Sequence, residues 1–323
     1  MPLGLDRFTF QLNKIEKLLE HAKLEETPGL WLYLNDLRTP VFMLESLGKL
    51  YAEMHNKKRF TTLRIRFKKL EDALGALDYY AAFTKEFSNN PKIPADLITY
   101  FQMKTNEKVN LLNRQLKKDD WLNGRRIKKI INKIEDAAWL SEKEETEAIK
   151  KYYAQEIKKI KSFAVSTHFK FDNVEADVHE LRRKLRWLSI YPQALLGAIR
   201  QIPSSSTPRY LNKYITKEIL ESPYNKFPVN DQLHLYVNLD QNHFFALSWI
   251  IAALGKLKDN GLRIKILKEA LQQMKLLRDE DNNKAAREFL GPDYPTLDHI
   301  LTQSSQVAKQ FFKENILEKL LVK

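Results

Sequence analysis

One stretch of the chain, residues 176–191, carries residue types that could bind a charged ligand. Its sequence is ADVHELRRKLRWLSIY. In a helix, with about 100° between successive residues, one histidine and three arginines fall within roughly a third of the circumference: His179, Arg182, Arg183 and Arg186. Guanidinium groups are planar, permanently charged and rich in N–H donors, so a row of them suits a ligand with anionic oxygens along its length. The stretch therefore predicts a helical polyanion-binding surface, and the alternative is an ordinary solvated face whose arginines pair with acidic neighbours.

The rest of the chain has no pattern typical of an enzyme or a metal site. The seven histidines form no His-x-x-x-His or His-Glu-x-x-His motif, and there is no phosphate-binding glycine loop. The absence of cysteine removes thiol catalysis and thiolate metal ligands. Pairs of Asp and Glu occur throughout, but in a highly charged helical chain they carry almost no specificity. We expect no catalytic residues, no metal and no cofactor.

The overall charge favours an anionic partner without identifying it. The formal net charge is +13, and such a field attracts nucleic acid, an anionic membrane surface or condensed phosphate. The first residues lack a signal-peptide pattern, and the longest apolar run, 244–254, is too short to span a bilayer. We therefore expect a cytoplasmic protein.

The sequence predicts an almost wholly α-helical chain, so helices must position these residues. It has only 9 glycines and 12 prolines, and its apolar residues recur with helical period. The clearest case is the predicted helix 59–88, whose seam is Phe60, Leu63, Phe67, Leu70, Leu74, Leu77 and Ala81. Further helices are predicted at about 95–118, 120–139, 141–162, 231–259, 262–279 and 296–320. Breaks are predicted near Thr39, at Tyr191-Pro192 and at Gly261.

Two basic surfaces other than the 176–191 stretch are visible. On the predicted helix 59–88, Arg64 and Lys68 share a face with Gly75, a glycine that indicates close approach of another group. The second surface is a cluster between residues 117 and 133: Lys117, Lys118, Arg125, Arg126, Lys128, Lys129 and Lys133. Nearby aromatic residues could stack on nucleic-acid bases but are more often part of a core: Trp121, Trp187, Tyr152 and Tyr153. Binding of RNA or DNA, or docking of an acidic protein, thus stays open.

The two halves of the chain share short motifs in the same order. LGALD at 74–78 is similar to LGKLKD at 254–259, and NDLR at 35–38 is similar to HELR at 179–182. We infer an internal duplication, with a first helical half at about 1–165 and a second at about 166–323, joined by a linker at 163–173.

These motifs resemble the conserved histidine α-helical domain, known as CHAD, over nearly the whole chain. The resemblance rests on a His-x-x-Arg helix with a further basic residue four positions on, paired with a Leu-Gly-x-x-x-Asp helix end. His179, Arg182 and Arg186 match in the second half, as do Leu254, Gly255 and Asp259; Arg38 and the run from Lys68 to Gly75 match in the first. The chain departs from the family pattern at four positions: Asn35, Phe42, Glu45 and Ser189.

The resemblance implies a fold, a ligand and a site. The fold would be two helical bundles related by a pseudo-two-fold axis, with the motif residues lining a basic groove or pore between them. The ligand would be inorganic polyphosphate, bound without hydrolysis, and the location would be the cytoplasm, including its polyphosphate granules. The implied site residues, together with the basic residues beside them, are His179, Arg182, Arg183, Arg186, Arg38, Arg64 and Lys68. Polyphosphate carries about one charge per phosphate, so binding would release condensed counterions as on single-stranded nucleic acid.

Overall fold

A computed structural model confirms the predicted all-α class. The structure describes residues 2–204, 207–274 and 279–322, with the backbone alone at 279–281 and 283. Among the described residues, no helix is long and apolar enough to cross a membrane. The chain folds into two compact units, Met1–Glu145 and Thr146–Lys323.

The first unit is a bundle of six helices, the longest of which is α4. In chain order the helices are α1 (Leu3–Ala22), α2 (Pro28–Leu34), α3 (Arg38–Met54), α4 (Lys57–Ser88), α5 (Ala95–Lys118) and α6 (Arg125–Glu135). The seam predicted on α4 is buried from Phe60 to Leu77, while Ala81 is half-buried. This seam packs α4 against α3 and α5.

The second unit is arranged around one long helix. It contains most of α7 (Glu142–Ser166), then α8 (Glu180–Ala194), α9 (Lys217–Glu221), α10 (Gln241–Gln273), α11 (Asp279–Leu290) and α12 (Leu297–Lys313). Helix α10 packs against α8, α11 and α12. Because it has neighbours on several sides, α10 buries apolar residues around much of its circumference.

The division between the units falls well before the predicted linker at 163–173. The reason lies in α7, which runs through to Ser166. The buried Tyr153 hydroxyl donates to the Leu188 carbonyl of α8 at 2.8 Å. The buried Tyr152 hydroxyl shares a hydrogen bond of the same length with the Tyr191 hydroxyl of α8. These contacts attach most of α7 to the second unit.

Small parallel strands were not expected from the sequence. Strand β1 (Ile199–Ile202) pairs with β2 (Val237–Asp240), in register from Ile199 opposite Val237 to Ile202 opposite Asp240. The predicted helix 231–259 is therefore wrong at its start, because β2 occupies 237–240. Helix α10 begins after it, where the Asp240 carboxylate accepts the His243 N–H at 2.9 Å.

Two predicted helix ends are also wrong. Helix α8 continues through Pro192 to Ala194, and α10 continues through Gly261. A Cβ at position 261 would lie 2.7 Å from Val174 Cγ2, so this glycine allows close packing instead of ending the helix. Helix α11 was not predicted from the sequence. The helix predicted at 262–279 lies partly outside the described residues.

The break expected near Thr39 falls slightly earlier. Helix α2 ends at Leu34 and α3 begins at Arg38, so Pro40 lies in the first turn of α3, where its missing N–H is tolerated.

Candidate functional site

Arg182 of α8 lies directly over Gly255 of α10. Its Nε donates a hydrogen bond of 3.1 Å to the Ile251 carbonyl, and a Cβ at position 255 would lie 3.0 Å from the same nitrogen. The absence of a side chain at 255 thus allows the guanidinium to rest on the α10 backbone. The Leu-Gly motif and the His-x-x-Arg motif, distant in sequence, meet here as one arrangement.

Arg182 and Arg186 line the same cleft of the second unit. The cleft has a volume of about 330 Å³. Its remaining walls come from α8, from α10 and from the segment around α9: Ser189, Ile190, Glu218, Ile219, Ser222, Tyr224, Ser248, Ile251 and Ala252. The two guanidinium groups supply charged N–H donors for anionic oxygens, whereas the Ser189 and Ser248 hydroxyls already donate to the Arg186 carbonyl and to Asn225 Oδ1.

The acidic residues around this cleft have cationic partners of their own. Burial lowers the pKa of Arg182, and the Asp259 carboxylate acts in the opposite direction. Arginine keeps its charge at neutral pH in any case. Glu218 pairs with Lys256 at 3.0 Å, and Asp259 pairs with Lys258 at 2.8 Å. These lysines partly neutralise both carboxylates.

His179 and Arg183 do not line this cleft, although the sequence predicted one continuous stripe. His179 Nδ1 lies 3.2 Å from Glu175 Oε2, and this contact, followed by that of Lys265, lowers the pKa of Glu175 to about 2. Arg183 Nε donates to Glu180 at 2.8 Å. Each side chain thus has a carboxylate partner three or four residues earlier in the chain. This is the alternative interpretation given above, in which the cations of an ordinary solvated face pair with acidic neighbours.

The turn before α8 also differs from the regular helix assumed for the stripe. Residues Val174–His179 form a π-helical turn, capped by the Asn173 side chain, which accepts from the Glu175 and Ala176 N–H groups at 2.8 and 3.0 Å.

The first unit repeats the arginine-on-glycine arrangement. Arg38 lies over Gly75 of α4, where a Cβ would be 3.0 Å from Nη2. Unlike Arg182, Arg38 forms two ion pairs, with Glu71 at 3.0 Å and with Asp78 at 2.5 Å. The motif residues of the two halves therefore adopt similar local geometry within their own units, but in different electrostatic surroundings.

The other two predicted cations of the first unit also lie beside carboxyl groups. Lys68 contacts Asp72 at 2.5 Å, and Arg64 Nε lies 3.9 Å from Glu45 Oε1. Glu45 itself is buried, and this burial, followed by repulsion from Glu71, raises the pKa of Glu45 to about 7. Three cations here face four carboxyl groups, so an added anion would compete with existing ion pairs.

Two further predictions concern stacking and metal binding. The aromatic residues considered as stacking platforms are all buried: Trp121, Trp187, Tyr152 and Tyr153. Within the described part of the chain, no group of three or more His, Asp or Glu side chains is placed to hold a metal ion.

The α9 region of the cleft, Glu218 to Tyr224, was missed because its short helical turns have no periodic sequence signal.

Comparison of the chain with protein-family models, with curated proteins and with solved structures found no match in any of the three.

Proposed function

We propose that the protein binds inorganic polyphosphate without hydrolysing it, and that Arg182 and Arg186 are the main contacts. The observation that carries the proposal is the cleft in which these two arginines lie side by side, with Arg182 held by Gly255 and the Ile251 carbonyl. Holding the guanidinium in place before binding lowers the entropy lost when an anion is bound. The resemblance of the motif residues to the CHAD domain points to the same ligand.

The proposal assigns the larger part of the binding energy to the second unit. In the first unit Arg38 and Lys68 have carboxylate partners, which a phosphate chain would have to displace. In the second unit Glu218 and Asp259 are already paired with lysines. His179 and Arg183 lie outside the cleft beside carboxylates of their own, so this proposal gives them no direct contact with the polymer.

A polymer of bare phosphates suits the site better than an RNA or DNA chain. Proteins that bind single strands without sequence preference place exposed aromatic rings against the bases. The four aromatic residues near the basic segments are buried, which removes them from this role and leaves Tyr224 as the exposed ring among the described residues that line the cleft. Binding of nucleic acid or of an acidic protein is the competing outcome of the test below.

The test compares two double variants that remove equal charge. Arg182→Gln with Arg186→Gln is expected to weaken the binding of long-chain polyphosphate at least tenfold, since each lost charged contact is worth roughly 1 kcal/mol or more. The control is Lys151→Gln with Lys158→Gln on the exposed face of α7. Binding is measured by fluorescence anisotropy, with competition by single-stranded RNA and heparin at matched charge, after circular dichroism has shown intact folds.

Three results would contradict the proposal. Equal losses in the two double variants would mean that net charge alone attracts the polymer. Stronger competition by RNA or heparin would favour the alternative partners. Release of orthophosphate by wild-type protein, dependent on added magnesium or manganese and absent from the arginine variant, would make the protein an enzyme.

A further inference from the structure

A chain of hydrogen bonds joins four side chains of the second unit, away from the arginine cleft. Asp240 Oδ1 lies 2.7 Å from His243 Nδ1, and His243 Nε2 lies 3.2 Å from the Tyr210 hydroxyl. Lys319 Nζ donates to the same hydroxyl at 3.1 Å. The four residues come from segments distant in sequence: the start of α10, the 3-10 turn Arg209–Tyr214 and the 3-10 turn Leu317–Lys319.

The protonation of the chain follows from its chemistry. Burial acts to raise the pKa of Asp240, but hydrogen bonds from Ser204 and His243 lower it overall, so the carboxylate is ionised at neutral pH. An ionised carboxylate only accepts, so His243 Nδ1 carries the proton of the neutral ring and Nε2 is the acceptor. Tyr210 therefore donates to Nε2, while its oxygen accepts from the Lys319 ammonium. The hydroxyl lies between a base and a cation.

Helix capping explains only one part of this chain. Asp240 is the N-cap of α10, and its carboxylate accepts the His243 N–H at 2.9 Å, which is a common way to begin a helix. Capping requires neither the tyrosine hydroxyl at Nε2 nor the ammonium beside it. Tertiary contacts bring them there, since the Asp240 N–H donates to the Leu320 carbonyl at 2.9 Å.

The arrangement has the parts of an activated nucleophile. Such a group has a base within hydrogen-bond reach, and the base is oriented by a third group. Here the base is the buried His243, and Asp240 orients its ring. When the hydroxyl proton moves to Nε2, the phenolate that remains on Tyr210 is stabilised by the ammonium of Lys319.

The surroundings of the hydroxyl favour acyl transfer over phosphoryl transfer. A transferred phosphoryl group spreads charge over three oxygens and is usually held by metal ions and several cations. The tetrahedral intermediate of an ester carries a single oxyanion, which one ammonium group can stabilise. Tyr210 is half-buried and Lys319 is exposed, so a reagent reaches the hydroxyl from the side of the lysine.

We propose that Tyr210 is an activated nucleophile and a site of acylation by activated esters. The Tyr210 oxygen forms a bond to the carbonyl carbon, and the bond from that carbon to the leaving oxygen breaks. The hydroxyl proton passes to His243 Nε2 and then to the leaving group, so the products are an O-acyl tyrosine and an alcohol or phenol. Asp240 is a positioning residue in this step.

The probe for the test is p-nitrophenyl acetate, and mass spectrometry of peptides measures the rate of acylation at each tyrosine. In wild-type protein Tyr210 is expected to react at least roughly tenfold faster than Tyr224, although Tyr224 is 53% exposed. His243→Gln, which keeps a polar side chain but cannot accept the proton, should slow Tyr210 roughly 100-fold. The reaction of Tyr210 should also be slower in D2O, because a proton moves as the new bond forms.

Two further variants test the groups on either side of the histidine and tyrosine. Asp240→Asn keeps a good N-cap residue but removes the carboxylate, and it should slow Tyr210 while circular dichroism and the melting temperature show an intact fold. Lys319→Gln should slow it as well. In each variant Tyr224 serves as the internal reference, since a general loosening of the fold would not slow Tyr210 alone.

The matched control for Lys319→Gln is Lys313→Gln, which removes one exposed charge from α12 and should leave the rate at Tyr210 as in wild type. Three results would overturn the inference: equal rates at Tyr210 and Tyr224, acylation of Lys319 in place of Tyr210, or an unchanged rate at Tyr210 in His243→Gln. If His243→Gln does not fold, unchanged rates in both Asp240→Asn and Lys319→Gln would have the same force.

Discussion

Arg38 and Arg182 show how one local geometry can have two electrostatic outcomes. Each guanidinium rests on a helix glycine, at 3.0 Å from where a Cβ would lie. Arg38 is bound by two carboxylates of α4, whereas Arg182 donates to a backbone carbonyl and faces an open cleft. The buried Glu45 adds a further carboxyl group to the surroundings of the first unit.

Glu45 should make the stability of the protein depend on pH. The pKa of Glu45 is raised from 4.5 to about 7 in the folded protein. The stabilisation from its protonated form is complete below about pH 4.5 and is lost as the pH rises through 7. Glu45→Gln should remove this dependence and exceed wild-type stability by about 1–3 kcal/mol at pH 8. Urea unfolding of both proteins between pH 4.5 and 8 measures the free energy of unfolding at each pH.

The matched control for this prediction is Glu20→Gln on the exposed face of α1. It should leave the pH dependence between 4.5 and 8 as in wild type. A Glu45→Gln protein that still loses stability over this range would show that another group is responsible.

Two glycines inside α10 serve different neighbours. Gly255 leaves room for the end of a flexible arginine, and Gly261 leaves room for the branched side chain of Val174 at 2.7 Å. Glycine inside a helix costs roughly 1 kcal/mol relative to alanine, so each position gives up helix stability to allow a close contact. One contact orients a guanidinium, and the other packs α10 against the π-helical turn.

Alanine at these two positions should separate binding from stability. Gly255→Ala should keep or slightly raise the free energy of unfolding, because Arg182 can move aside, but should weaken polyphosphate binding several-fold. Gly261→Ala should lower the free energy of unfolding by about 1–3 kcal/mol, because Val174 cannot move easily, and should leave binding unchanged. Urea unfolding and anisotropy measure the two effects, and the reverse assignment of losses would refute this account.

The net charge of +13 does not measure how many cations can contact a ligand. Many basic side chains on both units have acidic partners, as Lys68, Lys69 and Lys256 show. Net charge therefore predicts attraction of polyanions over a distance, while affinity depends on the few cations that can contact phosphate directly.

The salt dependence of polyphosphate binding should report how many cations contact the polymer directly. For polyphosphate neutralised at about five positions, the logarithm of the binding constant should fall with the logarithm of salt concentration with a slope near −3 to −4, by analogy with single-stranded nucleic acid. Arg182→Gln with Arg186→Gln should reduce the magnitude of the slope by roughly 1.4, whereas Lys151→Gln with Lys158→Gln should leave it unchanged. An unchanged slope in the arginine variant would mean that these residues do not contact the polymer.

Local sequence patterns determined the helical class and several elements of this protein. The seam of α4 and the bounds of α5 follow from periodicity. At the start of α7 the Ser141 N–H donates to Glu144 at 2.9 Å, a local capping interaction. These features depend on interactions within a few residues, which is why the sequence alone predicts them.

Tertiary contacts decided the helix ends and the composition of the candidate site. Gly261 carries a strong local signal for a break, yet α10 continues because packing outweighs local preference, whereas α8 ends two residues after Pro192. Periodicity placed four basic side chains on one face of α8, but only Arg182 and Arg186 line the cleft, since Glu175 and Glu180 hold the other two. Periodicity gives the direction of a Cβ, whereas the partner of a long charged side chain depends on the carboxylates and carbonyls that the fold brings within its reach.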